Sequence, residues 1–357
     1  MLRSFRYILF PFSLLYGLVI WVRNFLFDKK YITSTSFNLP IICIGNLAIG
    51  GTGKTPMTEY LVRLLKDKFQ VGVVSRGYKR KTRGYILATE TTTAVDIGDE
   101  PLQIHNKFPD IAVAVSEERV VGVPQLLHDR PQTEVIILDD AFQHRQVRAG
   151  LNILLTEYND LYTRDILLPA GDLRDLKSSS RRADIIIVTK CKSYLNEKER
   201  QKIAKEIRPL PHQQVYFTKI DYSIPFHLFS GEEKMLTQQN AVLLVCAIAN
   251  PRPLKEMLTS FVSYYDELSF RDHHIFNTDD LNEIIKQFKK IDNPNKIILT
   301  TEKDAVRLKK FENELSSYPI YVLPMSHKFL FEEEDKFHQQ VFDFIKEYPH
   351  TQLGATT

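Results

Sequence analysis

Apolar residues fall into short runs of β-formers separated by amphipathic stretches, with one longer uncharged run ahead of them. Residues 41–44 (IICI), 71–75 (VGVVS), 111–115, 135–138, 151–156 and 184–190 (DIIIVTK) read as buried strands. Between them, residues 57–66 carry Leu61, Leu64 and Leu65 at helical spacing, and residues 102–107 and 117–128 repeat that pattern. Strands and helices that alternate from residue 40 to 220 predict an α/β fold built on a doubly wound, mostly parallel sheet. Such sheets gather ligands at the carboxyl ends of their strands. The pattern loosens over 220–240, around Pro225, Ser230-Gly231-Glu232 and a polar run. A second, smaller α/β unit follows, with strands at 242–248, 296–299 and 320–323 and helices at 278–290 and 303–310. The expected organisation is a hydrophobic segment over 1–35, a main domain over 36–225 and a smaller domain over 226–357.

The early uncharged run, residues 7–22 (YILFPFSLLYGLVIWV), is too short as a helix, at about 24 Å, to cross the ~30 Å hydrocarbon layer comfortably. Arg3 and Arg6 precede it, Arg23, Lys29 and Lys30 follow, and Tyr7, Tyr16 and Trp21 sit where interfacial aromatics would. No small-residue cleavage site follows it, which argues against a secretory signal. The expectation is an anchor that dips into or marginally crosses the bilayer. A buried first helix is the alternative.

Residues 41–58 carry the chemistry. After the strand comes GNLAIGGTGKT, with Ala48, Ile49, Gly50, Gly51, Thr52 and Gly53 ahead of Lys54 and Thr55. Glycines let successive backbone N–H groups turn inward around phosphate oxygens, and the following helix N-terminus adds partial positive charge. Lys54 would reach the β- and γ-phosphates, and the Thr55 hydroxyl would sit on Mg²⁺. Ala48 stands where a P-loop usually places its first glycine. The expected ligand is a nucleoside triphosphate, ATP, with Mg²⁺.

Further polar groups fall at strand ends. Asp139-Asp140 follows the strand at 135–138 as a Walker B carboxylate would, and Phe142-Gln143-His144-Arg145 continues from it. Arg76 follows the strand at 71–75, and Arg119 opens the helix over 117–128. Arg174 lies in a turn after LLPAG, suited to bidentate phosphate contact. Asp99-Glu100 reads most simply as an N-cap with first-turn helix charge, with catalytic acids as the alternative. Residues 79–83 (KRKTR) form either a solvated loop or a steering patch for anions. Asp272-His273-His274 is a poor metal site, and reads as a surface pair or an acid–base unit.

Composition adds little to this: 43% hydrophobic and 25% charged residues are ordinary for a globular chain of 357 residues. A net charge of +3 does not call for nucleic acid as a partner, and no segment signals an obligate protein partner. Cys43, Cys191 and Cys246 are isolated in apolar runs and suit a reducing compartment.

In order and spacing these stretches resemble the tetraacyldisaccharide 4′-kinases of lipid A biosynthesis. The residues that carry the resemblance are GNLAIGGTGKTP (45–56), SRGY (75–78), GDEP (98–101), DDAFQH (139–144), LLPAGDLRD (167–175), AIANP (247–251), DHHIF (272–276) and TEKDAVRL (301–308). Ala141 departs from the glycine expected in DDGFQH, and adds a methyl that restricts φ there. The resemblance implies transfer of the ATP γ-phosphate to the 4′-hydroxyl of a membrane-embedded disaccharide 1-phosphate at the cytoplasmic face of the bacterial inner membrane. It also implies Asp99 as base, paired with His273 by domain closure, and Glu100, Asp139 and Asp140 around the metal. Arg76, Arg119, Gln143, His144 and Arg174 would then serve the γ-phosphate and the acceptor. The rival reading is a membrane-associated regulatory P-loop ATPase or GTPase. It is disfavoured because Ile49 stands where the switch ATPases place a lysine. Thr189-Lys190-Cys191-Lys192 also lacks the carboxylate that reads guanine.

Overall fold

The computed structural model describes residues 6–248, 250–272 and 274–348. The chain forms two compact units, residues 1–220 with 327–357 and residues 221–326. Helix α1 (Phe10–Asp28) precedes β1 (Ile41–Asn46), α2 (Lys54–Leu65) and β2 (Val71–Ser75). Then come β3 (Ile86–Leu87), α3 (Ala94–Ile97), α4 (Asp99–Lys107), β4 (Ala112–Val115), α5 (Arg119–Asp129), β5 (Val135–Leu138) and β6 (Leu151–Glu157). The first unit continues with β7 (Ile185–Thr189), α6 (Glu197–Ile207) and β8 (Gln214–Tyr222). After the second unit the chain returns as β14 (Met325–Phe329) and a last helix, Glu334–Glu347.

The nine-stranded sheet runs β14-β8-β7-β6-β1-β5-β2-β4-β3. All its pairings from β8 to β4 are parallel, and β3 runs antiparallel to β4. The strands β1, β2, β5 and β7 are buried throughout, the signature of a sheet covered on both faces. The fold is the expected doubly wound, mostly parallel sheet. The chain leaves β1 for β2 and β4 on one side, inserts β5 beside β1, then crosses to β6 on the other. β1 therefore lies at the switch point, where an open α/β sheet holds its ligand. Cys43, Cys191 and Cys246 are free and buried.

The second unit is a five-stranded sheet ordered β11-β10-β12-β13-β9, comprising β9 (Phe226–His227), β10 (Ala241–Cys246), β11 (Tyr264–Ser269), β12 (Lys296–Thr301) and β13 (Ile320–Leu323). It is parallel except for the short edge strand β9. Residues 226–357, expected as one domain, divide at residue 327, and the last described stretch packs with the first unit. The reason is aromatic packing. Phe329 and Phe337 stack 4.7 Å apart, against Tyr216 of β8 and Tyr60 of α2.

Helix α1 is longer than the apolar run suggests, because Arg23 and Asn24 find partners that hydropathy cannot register. Its 19 residues are long and apolar enough to cross a membrane. Its packing inverts the usual amphipathic pattern. Ser13, Gly17, Ile20 and Asn24 are buried against the first unit, while Phe12, Leu14, Leu15, Leu18, Val19 and Trp21 are exposed. The Ser13 hydroxyl donates to the Leu167 carbonyl and accepts from the Ala170 amide, both at 3.0 Å. A Cβ on Gly17 would lie 2.8 Å from Leu167 Cδ1, so a larger residue there would require the Leu167 side chain to shift.

Candidate active site

The loop after β1 closes into a phosphate cradle. Gly50 and Gly53 take left-handed φ values of 115° and 87°, and Gly53 caps α2, on which Lys54 and Thr55 are the first residues. The loop is held from behind by three groups. The Asn46 amide donates to the Thr52 hydroxyl at 3.0 Å, the Thr189 hydroxyl to the Thr52 carbonyl at 2.9 Å, and His327 Nε2 to the Gly53 carbonyl at 2.9 Å. Ala48 bridges to Leu173, and the Ile49 amide donates to the Asp172 carbonyl at 2.8 Å. The cradle is thus stitched to the loop that carries Arg174.

Asp139 and Asp140 emerge at the end of β5, next to β1. The Asp139 carboxylate is buried and accepts from Thr58 of α2 at 3.0 Å and from Ser75 at 3.3 Å. Burial, with Glu100 and Asp140 close by, pushes its carboxyl up to about 6. Asp140 faces Lys54 at 3.8 Å and takes both guanidinium nitrogens of Arg174. Burial opposes its charge, but Lys54 and Arg174 outweigh burial and hold its carboxyl well below the usual range. Asp140, not Ala141, adopts a positive φ, 47°. The methyl of Ala141 is therefore tolerated where the family pattern has glycine.

Arg119 is almost wholly buried at the start of α5 and donates to the carbonyls of Ser116 at 2.8 Å and Asp139 at 3.1 Å. Among the described residues the buried Nε atoms of Arg119 and Arg174 have no hydrogen-bond partner, which fits anionic oxygens as the missing acceptors. Gln143 donates to the Asn46 carbonyl at 2.7 Å. Burial, with Arg119 and Arg76 nearby, pushes the His144 imidazole down to about 4. At neutral pH His144 is therefore a neutral hydrogen-bonding group rather than a cation.

The acidic pair comes to the site through glycine contacts. Gly98 has φ 89°, caps α4 at Asp99, and lies so close to the carbonyl of Tyr78 that a Cβ would meet it at 2.9 Å. SRGY and GDEP are therefore pressed together, with Glu100 near enough to act on Asp139. Of the basic run over 79–83, Arg80 turns inward to pair with Glu117 at 2.6 Å, while Lys79, Lys81 and Arg83 are exposed. His273 lies outside the described residues. In the second unit, its neighbours Asp272 and His274 pair with Lys303 at 3.5 Å and Asp280 at 2.8 Å.

Three contributors have no role assigned from the sequence, although Asn46 and Asp175 lie within its motifs at 45–56 and 167–175. Asn46 holds Thr52 with its amide and accepts from Arg174 through its side-chain oxygen at 2.5 Å. Asp175, fully buried, joins Arg182 at 2.9 Å, Asn24 at 2.9 Å and Ser179 at 2.8 Å. Arg182 in turn donates to the Phe142 carbonyl at 2.8 Å and stacks on that ring. Asp175 therefore ties α1 and the Arg174 loop to the loop after Asp140. His327, on β14, is the third. Asn46 has a local signal as the polar end of a buried strand beside the glycine loop, and Asp175 as the residue after Arg174, whereas His327 has none.

Among the described residues no group of three or more His, Cys, Asp or Glu forms a metal cage. Mg²⁺ is commonly held by one or two protein oxygens, with phosphates and water completing its shell. Thr55 and Asp139 fit such a site, since a divalent charge would offset the carboxylates that raise Asp139.

A glycine cradle at the switch strand, a lysine at the following helix and buried arginines with unmatched donors define a P-loop nucleotide-triphosphate site. The profile of the tetraacyldisaccharide-1-P 4′-kinase family matches residues 5–346, and the chain belongs to that family. It is 45% identical over 354 residues to the tetraacyldisaccharide 4′-kinase of Bacteroides thetaiotaomicron, covering 95% of this chain and 93% of that one. It is 46% identical over 346 residues to the Flavobacterium johnsoniae enzyme of the same name, covering 96% and 98%. The structure resembles the "apo" form of LpxK from Aquifex aeolicus in complex with ATP. The TM-score is 0.74 and the identity 29%, over 97% of this chain and 100% of that one.

Proposed function

We propose that this chain transfers the γ-phosphate of ATP to the 4′-hydroxyl of tetraacyldisaccharide 1-phosphate, forming the 4′-phosphorylated product of lipid A biosynthesis. Family membership supports the reaction class. The observation that supports the mechanism is the Gly98–Tyr78 contact, which packs the turn before Asp99-Glu100 against the segment that follows β2 and Arg76.

The backbone N–H groups over 48–55 cradle the phosphates, and Lys54 reaches the β- and γ-oxygens. Arg174 and Lys54 are held by Asp140 until phosphate oxygens compete for them, so both arrive oriented. Arg119 and Arg76 meet the charge on the γ-phosphoryl group, with Gln143 and neutral His144 as hydrogen-bonding partners to phosphate or acceptor. Asp99 accepts the proton of the sugar hydroxyl as its oxygen attacks phosphorus, with His273 assigned as its partner. Thr55 and Asp139 would hold Mg²⁺, with Glu100 and Asp140 in support. The ion, when bound, neutralises charge on the transferring group. The exposed apolar face of α1 lies on the cytoplasmic leaflet of the inner membrane, within which the acylated acceptor stays.

The test is transfer of labelled γ-phosphate from ATP to tetraacyldisaccharide 1-phosphate in detergent micelles, with Lys54→Ala alongside. Labelled lipid that vanishes in the variant is the expected result. ATP hydrolysis without labelled lipid would replace the kinase with the regulatory ATPase.

A further inference from the structure

Away from the phosphate cradle, the first unit carries a cavity of about 690 Å³ between the 162–181 segment and the end of α6. Its wall presents five cations, Lys177, Arg181, Lys202, Lys205 and Arg208, against one carboxylate, Glu206. Glu206 is already engaged, by Arg164 through two 2.8 Å contacts and by Thr163 at 2.5 Å. Among the described residues Arg181, Lys205 and Arg208 make no ion pair, and all three are exposed. A concave surface with this excess of cations favours a multiply oxygenated anion.

A second cavity, about 380 Å³, adjoins the first and shares Lys177 and Ser178 with it. Its lining is mostly apolar, Phe10 and Leu14 from α1 with Ile166, Leu167, Leu173 and Leu176 from the loop beneath, and its one carboxylate, Asp165, accepts from the Ile166 and Asp172 amides. Phe10 and Leu14 belong to the exposed apolar face of α1, so this groove is continuous with that face. A cationic cup joined to an apolar groove is complementary to one kind of molecule, an anion attached to a hydrocarbon chain.

We propose that the joined cavities form an accessory site for an anionic phospholipid, its phosphate among Arg181, Lys205 and Arg208 and one acyl chain along Leu14 and Leu167. The site shares none of the residues assigned to phosphotransfer. The proposal rests on α1 lying at a membrane surface and is independent of which reaction the P-loop serves. The acyl chain lies in the groove that Phe10 and Leu14 form with Ile166 and Leu167, beside the place where Ser13 fastens α1 to the loop.

The experiment is native mass spectrometry of the full chain in detergent, offered phosphatidylglycerol or phosphatidylcholine of matched chains. The wild type retains a phosphatidylglycerol adduct in preference to phosphatidylcholine. Arg181→Ala/Lys205→Ala/Arg208→Ala loses it by at least about tenfold, as expected for removing three cations from around one headgroup. Lys79→Ala/Lys81→Ala/Arg83→Ala, the same loss of surface charge elsewhere, retains it. The triple variant keeps the wild-type phosphotransfer rate in detergent. Four results would each overturn the assignment: equal retention of the two lipids, an intact adduct in the triple variant, displacement of the lipid by inorganic phosphate, which would mark a free-phosphate site, or phosphotransfer that falls in step with the adduct, which would make the cavity part of the acceptor site.

Discussion

His327 reaches across 274 positions of sequence to hold the carbonyl of Gly53 at 2.9 Å. A carbonyl only accepts, so Nε2 carries the proton and Nδ1 accepts from the Thr218 hydroxyl at 2.9 Å. One neutral imidazole thus fixes both the tautomer it needs and the last residue of the phosphate loop. His327→Ala is expected to weaken ATP binding by about tenfold, the typical value of one buried hydrogen bond. Isothermal titration with a non-hydrolysable ATP analogue measures this, and unchanged affinity would remove His327 from the loop's support.

The same histidine makes stability pH-dependent. Burial pushes its imidazole down to about 4, below the ordinary value near 6.5 in the unfolded chain. The unfolded state therefore binds the proton first as pH falls. The stabilisation is complete above about 6.5 and declines towards 4, with a slope of up to about 1.4 kcal/mol per pH unit. His144 contributes in the same direction. His327→Gln keeps an N–H donor but does not titrate, so urea midpoints at pH 7.5 and 5.0 should differ less than in the wild type. Equal differences in the two proteins would refute the assignment.

Asp175 has no solvent contact and holds Arg182, Asn24 and Ser179 together. Replacing it with alanine strands a largely buried guanidinium and should cost about 3 kcal/mol in chemical denaturation. Because Arg182 also supports the Phe142 carbonyl, turnover should fall while KM for ATP changes little. A loss under about 1 kcal/mol would mean that water replaces the carboxylate.

Ala141 occupies ordinary backbone space, so Ala141→Gly offers no relief of strain. It should lower stability by up to about 1 kcal/mol through unfolded-state entropy and leave turnover unchanged. A gain in turnover would show that the methyl obstructs the site.

Asp99→Ala should reduce kcat far more than it changes ATP affinity, since a base for the acceptor hydroxyl acts only as the bond forms. A matched loss in both would reassign Asp99 to nucleotide binding.

Leu15 and Leu18 are each more than half exposed on α1, at 62% and 56%. Leu15→Glu/Leu18→Glu should abolish flotation with phospholipid vesicles and leave thermal stability within about 0.5 kcal/mol of wild type. Flotation that survives would place membrane contact elsewhere.

Much of the phosphate site is legible in the amino-acid sequence. The strand over 41–44, the glycine loop and Lys54 identify it because cradle, helix dipole and lysine are contiguous in the chain. Asp139-Asp140 and Arg76 are legible as polar residues that end apolar strands, which a parallel sheet brings to one edge. How these groups engage one another is less legible. Asp140 reads as one of two interchangeable acids, yet of the two it alone takes the left-handed turn and the Arg174 pair. Its neighbour Asp139 is sunk among hydroxyls. The basic run over 79–83 reads as uniform, but Arg80 turns inward, because Glu117 and the Gly77 turn accommodate it.

The sequence by itself determined the order of motifs and the alternating α/β plan, since periodicity and glycine chemistry act within a dozen residues. Tertiary structure alone decided that residues 327–348 return to the first sheet, that His327 holds the phosphate loop, and that α1 buries Ser13, Gly17 and Asn24 while exposing its leucines. Each of these depends on partners more than a hundred residues away. Contacts at such separation are set by packing and hydrogen-bond satisfaction in the folded state, and they leave no periodic trace along the chain.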